Sequence, residues 1–99
     1  MRAIVDRLDA RNGTSAHETA MRLLKVTEEA GEAAQAYLGM QGQNPRKGCT
    51  HTRGDVATEL CDVILTAMVA LHAFHDDPAT LLASLARHRN QRLAASTSA

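Results

Sequence analysis

Neither of the two prolines in this 99-residue chain lies within a segment of helical periodicity. Pro45 stands in a glycine-containing segment, and Pro78 directly follows Asp77, an order of residues that is favoured where a helix begins. Because proline interrupts a helix only when it stands in the interior, the remaining segments are free to be helical. Aromatic residues make up 2% of the chain, which disfavours most β-architectures. The sequence therefore predicts an all-α fold.

Periodicity and capping signals divide the chain into four helical segments. Ser15 with Glu18, and Thr52 with Asp55, have the spacing of capping boxes, and Asn12-Gly13 is a typical helix end. The segment Met40–His51 has no periodicity and is predicted to be a loop that is long for a helix–helix connection. The predicted helices lie around Ile4–Leu8, from Ala16 to Leu38, from Arg53 to His75, and from Pro78 to about Arg92.

A chain of this length is expected to form one domain, residues 1–99, with an ordered core of about 2–93 and a frayed tail, 94–99. The two long central helices are expected to pack antiparallel. The third is apolar on too many sides for one small monomer to cover, so we expect an oligomeric helical bundle, either a homodimer or a homotetramer.

Charge and cysteine usage exclude several classes of protein. Eleven basic residues balance eleven acidic ones, which argues against binding to nucleic acid or to a membrane surface as the function. Two cysteines without a CxxC pair indicate neither a disulfide framework nor a zinc site. The charged amino terminus lacks a signal-peptide core, so we expect a soluble cytoplasmic protein.

The most informative residues are two acidic pairs, Glu29 with Glu32 and Glu59 with Asp62. Within each pair the side chains are about 60° apart around the helix, so each pair projects from one stripe. A solvated face would account for such pairs on an ordinary surface helix. The apolar surroundings of Asp62, in the run LCDVILTAMVAL, argue against that explanation for the second pair.

An unpaired ionised carboxylate within such a run would cost several kcal/mol, about 3–5 by analogy with broken buried ion pairs. No Lys or Arg lies between Gly54 and Ala86, so this helix cannot neutralise the charge itself. If the two long helices pack antiparallel, the acidic pairs can converge. Carboxylate oxygens together with water suit Mg²⁺ or Mn²⁺, and not zinc.

The two acidic segments, EEAGE at Glu28–Glu32 and ELCD at Glu59–Asp62, resemble the EExxE…ExxD pattern of the MazG-like nucleoside triphosphate pyrophosphohydrolases. The resemblance extends over roughly Ala16–Arg92. It implies a four-helix MazG-like domain that cleaves nucleoside triphosphates to monophosphates and pyrophosphate, with Mg²⁺ as cofactor. By this resemblance the Mg²⁺ ligands are the four paired acids and Glu28 is an accessory acid, which makes the catalytic set Glu28, Glu29, Glu32, Glu59 and Asp62.

Basic residues are needed to meet the phosphate charge of such a substrate. Arg46 and Lys47 in the loop are one candidate pair, and Arg89 with Asn90 on the last helix resembles a basic cluster of the family. The dipole at a helix carboxyl end also accounts for the second set. Lys25 shares a helix face with Glu29, so it either contacts phosphate or pairs with that acid.

Two alternatives to nucleoside triphosphate hydrolysis stay open. A related all-α fold cleaves phosphoribosyl-ATP, and turnover of that compound against deoxynucleotides separates the two enzymes. The other alternative is a non-catalytic helical oligomerisation module that keeps the acidic residues for a structural cation.

Overall fold

The computed structural model describes residues 1–43 and 46–98. Within them the chain forms four α-helices and no strand, which confirms the all-α prediction. None of these helices combines the length and the apolar character that crossing a membrane requires. Asn44 and Pro45 of the predicted loop, and Ala99, lie outside the described residues. The helices are α1 (Arg2–Asn12), α2 (Ala16–Met40), α3 (Arg53–Leu71) and α4 (Pro78–Ser98).

The capping signals read from the sequence act where they were expected. The Ser15 hydroxyl accepts a hydrogen bond from the Glu18 amide at 3.1 Å, but the Glu18 carboxylate accepts from Arg22, so only half of this capping box forms. Thr52 and Asp55 form the complete box, with bonds of 3.2 and 2.9 Å. Gly13 closes α1 with φ of 80°, a conformation that residues with a Cβ rarely adopt.

Two predicted helix ends are wrong. Helix α3 ends at Leu71 and not at His75, because the amides of His72, Ala73 and Phe74 bond to carbonyls three residues back and tighten the chain into turns. Helix α4 continues past Arg92 to Ser98, which makes most of the expected frayed tail helical. The segment after Arg92 begins Leu-Ala-Ala, residues with high helix propensity, and it contains no Gly or Pro that would end the helix.

Helices α2 and α3 form the one extensive helix–helix contact among the described residues. Near the connecting loop, the Thr50 amide donates to the Gly39 carbonyl at 3.0 Å, and farther along both helices Glu29 lies close to Glu59. This order shows that the two helices run antiparallel, as predicted. Their packing is close because the buried residues are small, Ala33 and Ala36 on α2 and Ala70 on α3.

Much of the apolar surface is left exposed. No large side chain is fully buried among the described residues, and the exposed set includes leucines on α2, α3 and α4. Leu60 and Ile64 of α3 are exposed by 50% and 59% in the single chain. Within the described residues, a single chain therefore covers α3 extensively only where α2 lies against it.

Candidate metal and nucleotide site

Three carboxylates from two helices meet at one point of the antiparallel pair. Each of Glu29, Glu59 and Asp62 places an oxygen within 4.8 Å of an oxygen of the other two. Glu29 is 8% exposed, and the two acids of α3 are half-buried. Because like charges at this separation repel in a partly dehydrated site, a cation between the carboxylates would stabilise the group.

One oxygen of this group gives independent support for a cation between the carboxylates. Oε2 of Glu59 is buried and has no hydrogen-bond partner among the described residues. A buried acceptor without a partner costs about 1–3 kcal/mol, and more when it is charged. The donor set, three carboxylates and no sulfur or imidazole, suits a hard divalent cation such as Mg²⁺ or Mn²⁺.

Helix α2 supplies a local cation to its own acid. The ammonium of Lys25 lies 3.1 Å from Oε1 of Glu29 and 3.7 Å from Oε2 of Glu28. The hydrogen bond to Glu29 is the main cause of the raised pKa of Lys25. Of the two roles that the sequence left open for Lys25, the structure shows the pairing with Glu29. Arg22 on the same helix is turned away, since it pairs with Asp9 and Glu18, both at 2.8 Å.

The fourth predicted ligand, Glu32, is placed beside the group of three and not within it. Its side chain is exposed and close to Glu29. The charge of Glu29, followed by the hydrogen bond that a protonated Glu32 carboxyl can donate to Glu29, raises the pKa of Glu32. Glu28 is exposed and is held by Lys25. The five predicted acids thus divide into three that share one point and two that flank it.

The predicted phosphate-binding residues are placed in two different ways. Lys47 lines a cleft formed by the loop and the last turns of α2, and Arg46 is exposed next to it in the sequence. Arg89 and Asn90 are exposed on α4, and their side chains make no ion pair or hydrogen bond with any part of the chain that the structure describes. Within one chain, therefore, α4 does not place Arg89 and Asn90 next to the acidic residues.

The family model described as phosphoribosyl-ATP pyrophosphohydrolase matches residues 1–89. The chain belongs to the phosphoribosyl-ATP pyrophosphohydrolase family. No match was found among curated proteins or among solved structures. This family and the MazG-like enzymes share one all-α superfamily, so the resemblance is confirmed at that level and the MazG-like assignment is not.

Membership makes the protein a nucleotide pyrophosphohydrolase in the general sense. It also gives the three-carboxylate group a chemical context, because pyrophosphohydrolases of this family generally use a divalent metal. One residue of the first predicted pair, Glu29, and both residues of the second pair lie in this group.

The sequence analysis did not predict the contact between the loop and the last turn of α2. Thr50 and His51 lie directly against Gly39 in the last turn of α2, where a Cβ atom would collide with both side chains. The available signal was a glycine within the last turn of an otherwise alanine-rich helix, where glycine costs stability unless something approaches closely.

Proposed function

We propose that the protein hydrolyses phosphoribosyl-ATP at the α–β phosphoanhydride bond, in a reaction that depends on Mg²⁺. Water adds to the α-phosphorus, the bond to the β-phosphate oxygen breaks, and the products are phosphoribosyl-AMP and pyrophosphate. The observation that carries the proposal is the group of Glu29, Glu59 and Asp62, with its orphaned Glu59 oxygen, in a chain of this family. The family match favours this substrate over a plain nucleoside triphosphate.

In this proposal Glu29, Glu59 and Asp62 hold the metal ion. When bound, Mg²⁺ supplies charge neutralisation of the phosphate oxygens and a lowered pKa of the attacking water. The proton of that water goes to a carboxylate that is not needed as a ligand. We assign this role to Glu32, because it borders the group and is exposed, whereas Glu28 is held by Lys25.

The triphosphate also needs cations from the protein. Lys47 and Arg46 stand on the loop that follows α2, where long side chains can reach toward a bound phosphate. Lys25 is close to the acids and can exchange Glu29 for a phosphate oxygen once a metal holds that carboxylate. Arg89 and Asn90 are proposed as phosphate contacts only from the α4 of a second copy, since α4 packs so little on its own chain.

Hydrolysis of ordinary nucleoside triphosphates is the second candidate. The observation in its favour is the EExxE…ExxD spacing of the acidic residues, which resembles the MazG-like enzymes. Both candidates use the same metal group and the same bond cleavage. The two candidate substrates differ in the part around the base, and the enzyme must recognise that part to tell them apart.

Pyrophosphate release from a substrate panel tests the proposal. The panel contains phosphoribosyl-ATP, the four ribonucleoside triphosphates and the four deoxynucleoside triphosphates, each with Mg²⁺ and with EDTA. We expect the highest kcat/KM for phosphoribosyl-ATP and no release in EDTA. Higher kcat/KM for a nucleoside triphosphate would favour the second candidate. No release from any compound would leave only a non-catalytic helical module.

We also propose that the protein self-associates, as a dimer or a tetramer. The support is the exposed apolar surface, which includes a mainly apolar groove of about 440 Å³ along α1, α2 and α3. Its lining combines apolar residues such as Ile4, Met21 and Leu65 with the charged Glu18, Arg22 and Lys25. Light scattering at micromolar concentration should give a multiple of 10.6 kDa. A mass of one chain would contradict this, and would also remove α4 of a second copy as a source of cations.

A further inference from the structure

A cleft of about 480 Å³ lies between the end of α2 and the loop that follows it. Its size falls in the range of small-ligand sites, about 300–1,000 Å³. The lining is mainly uncharged, with two carboxamides, an aliphatic side chain, a hydroxyl and an imidazole alongside one ammonium group. The lining residues are Gln35, Leu38, Gly39, Gln43, Lys47, Gly48, Thr50 and His51.

One wall of this cleft is fixed by Gly39. The Thr50 amide donates to the Gly39 carbonyl at 3.0 Å, and the Thr50 hydroxyl is hydrogen-bonded to Nδ1 of His51 at 2.9 Å. Because Gly39 has no Cβ, the side chains of Thr50 and His51 pack directly against the backbone of α2. The other ring nitrogen of His51 takes no part in that bond, so it can face a ligand.

The electrostatics of the cleft suit a neutral polar group better than a phosphate. The cleft lies at the carboxyl end of α2, where the helix dipole places partial negative charge. Lys47 is the one permanent cation among the described residues that line the cleft, and Asp55 is close enough to His51 for their charges to interact. Lys47 alone can meet one phosphate that extends from the acids, and a whole triphosphate would find too little positive charge in the cleft. A nucleobase and a ribose present hydrogen-bonding edges that carboxamides can read.

The distance between the cleft and the acidic residues also suits one nucleotide bound to both. Gly39 follows Glu29 of the acidic group by ten residues, about 15 Å along the axis of α2, and it follows Glu32, which borders the group, by seven residues on the same helix face. A nucleotide whose phosphates lie at the acidic group can therefore extend its base and sugar along α2 into the cleft.

We propose that this cleft binds the base and ribose of the nucleotide, and that Gln35, Gln43 and His51 are the residues that discriminate between bases. The inference rests on the proposed function, because it assumes that the phosphates lie at the acids. It also explains how a chain with one Tyr and one Phe recognises a base, namely by carboxamide and imidazole groups.

Binding without catalysis tests the cleft separately from the reaction. We would titrate adenosine, and in a second series inorganic pyrophosphate, into the ¹⁵N-labelled protein in EDTA, and follow the side-chain amide signals of Gln35 and Gln43. These signals are assigned from Gln35→Leu and Gln43→Leu. Adenosine should shift both signals and pyrophosphate neither. Shifts caused by pyrophosphate, or no shift with either compound, would overturn the proposal.

A glycine pair supplies matched variants for the same titration. Gly39→Ala forces Thr50 and His51 off the helix, whereas Gly31→Ala, also on α2, meets nothing within 4 Å. We expect adenosine affinity to fall about tenfold or more in Gly39→Ala, the effect of losing one or two hydrogen bonds, and to be unchanged in Gly31→Ala. If Gly39→Ala does not fold, His51→Ala makes the same test. Unchanged affinity in the variant that folds would overturn the proposal.

Base discrimination in turnover gives the second readout. For Gln35→Leu and Gln43→Leu, the ratio of kcat/KM between the best substrate and the same substrate with another base should fall at least about tenfold. Gln41→Leu is the control, an exposed residue of the same loop whose side chain does not line the cleft. An unchanged ratio in both cleft variants would overturn the assignment. Absence of turnover in the unmodified protein would contradict the proposed function, and the titration would still decide the cleft.

Discussion

Helices α3 and α4 are neighbours in the chain, yet they differ in both charge and packing. Helix α3 carries Glu59 and Asp62 and lies along α2. Helix α4 contains no acidic residue and several arginines, and its Leu85 and Leu93 are exposed by 42% and 66%. One chain therefore assembles the acidic half of the proposed site by its own packing. The basic half is not assembled in the same way.

This difference has a physical origin in the residues that face each helix. The alanines of α2 and α3 allow close approach, so side chains of modest length can meet across the pair. Helix α4 has no such partner surface, and α2 with α3 is the only extensive packing in the described part of the chain. If α4 is needed for phosphate binding, a second copy has to supply the surface on which it rests.

The largest expected effect concerns the acids of α3. Glu59→Gln or Asp62→Asn should reduce kcat/KM for pyrophosphate release by at least about 100-fold, because each removes a proposed metal ligand. The metal-free variants should be as stable as the unmodified protein or more stable, because each removes one charge from a repelling group. Asp76→Asn, an exposed acid outside the helices, is the control and should have normal activity. Turnover at the unmodified rate in both acid variants would remove α3 from the site.

Metal removal gives the next largest effect. Mg²⁺ at about 100 times its Kd should add about 2.7 kcal/mol to the free energy of unfolding, provided it binds only the folded state. The melting temperature in millimolar Mg²⁺ should therefore exceed that in EDTA by several degrees. Equal melting temperatures would contradict a metal site shared by α2 and α3.

The pH dependence of the metal-free protein sharpens this test. The pKa of Glu32 is raised in the folded state by the neighbouring charge of Glu29. The folded protein therefore binds this proton more tightly than the unfolded chain does. Its free energy of unfolding should decrease as the pH rises from about 4.5 through the raised pKa. Glu32→Gln should remove this decrease, and a decrease of the same size in the variant would assign it to other groups.

A smaller effect separates the loop cations from those of α4. Replacing Arg46 and Lys47 with Ala should raise KM about tenfold with little change in kcat, if long side chains on a glycine-containing loop hold substrate and transition state equally. Replacing Arg89 and Asn90 with Ala should raise KM only at protein concentrations where chains associate. A KM increase that is independent of association would show that α4 reaches the site within its own chain.

Much of this arrangement was predictable from local signals in the sequence. Caps such as Thr52 with Asp55 depend on a few neighbouring residues, so the starts of α2, α3 and α4 were correct. The convergence of Glu29 with Glu59 and Asp62 followed from spacing once the long helices were taken as antiparallel. The exclusion of Glu32 from the group did not follow, because a shift of a few ångströms in helix packing decides which carboxylates meet.

The proposed base-binding cleft could not be predicted from the sequence, for a related reason. His51 of the loop contacts Gly39 of α2, which precedes it by twelve residues. No periodic pattern in the sequence predicts a contact of this kind. The early end of α3 is similar, since it depends on a change to three-residue hydrogen bonds in a segment that is still apolar.

The smallest expected effect compares the caps at the starts of α3 and α4. Thr52→Ala should lower the free energy of unfolding by about 1 kcal/mol, the usual value of a lost cap. The pKa of Asp55 is lowered chiefly by the hydrogen bond from the Thr52 amide, so the stability this bond contributes is lost as the pH falls below about 3.8 and through the lowered pKa. Asp55→Asn should remove that part of the acid dependence.

Asp77 forms the corresponding cap of α4, where its carboxylate accepts from the Thr80 amide at 3.3 Å. Asp77→Ala should loosen the first turn of α4, yet it should lower the global stability less than Thr52→Ala does, because α4 packs so little on the rest of its chain. Thermal denaturation and amide hydrogen exchange of the two variants measure this difference. An equal loss of global stability would show that α4 unfolds together with α2 and α3. Since one chain offers α4 no extensive contact, that result would place α4 against a second copy.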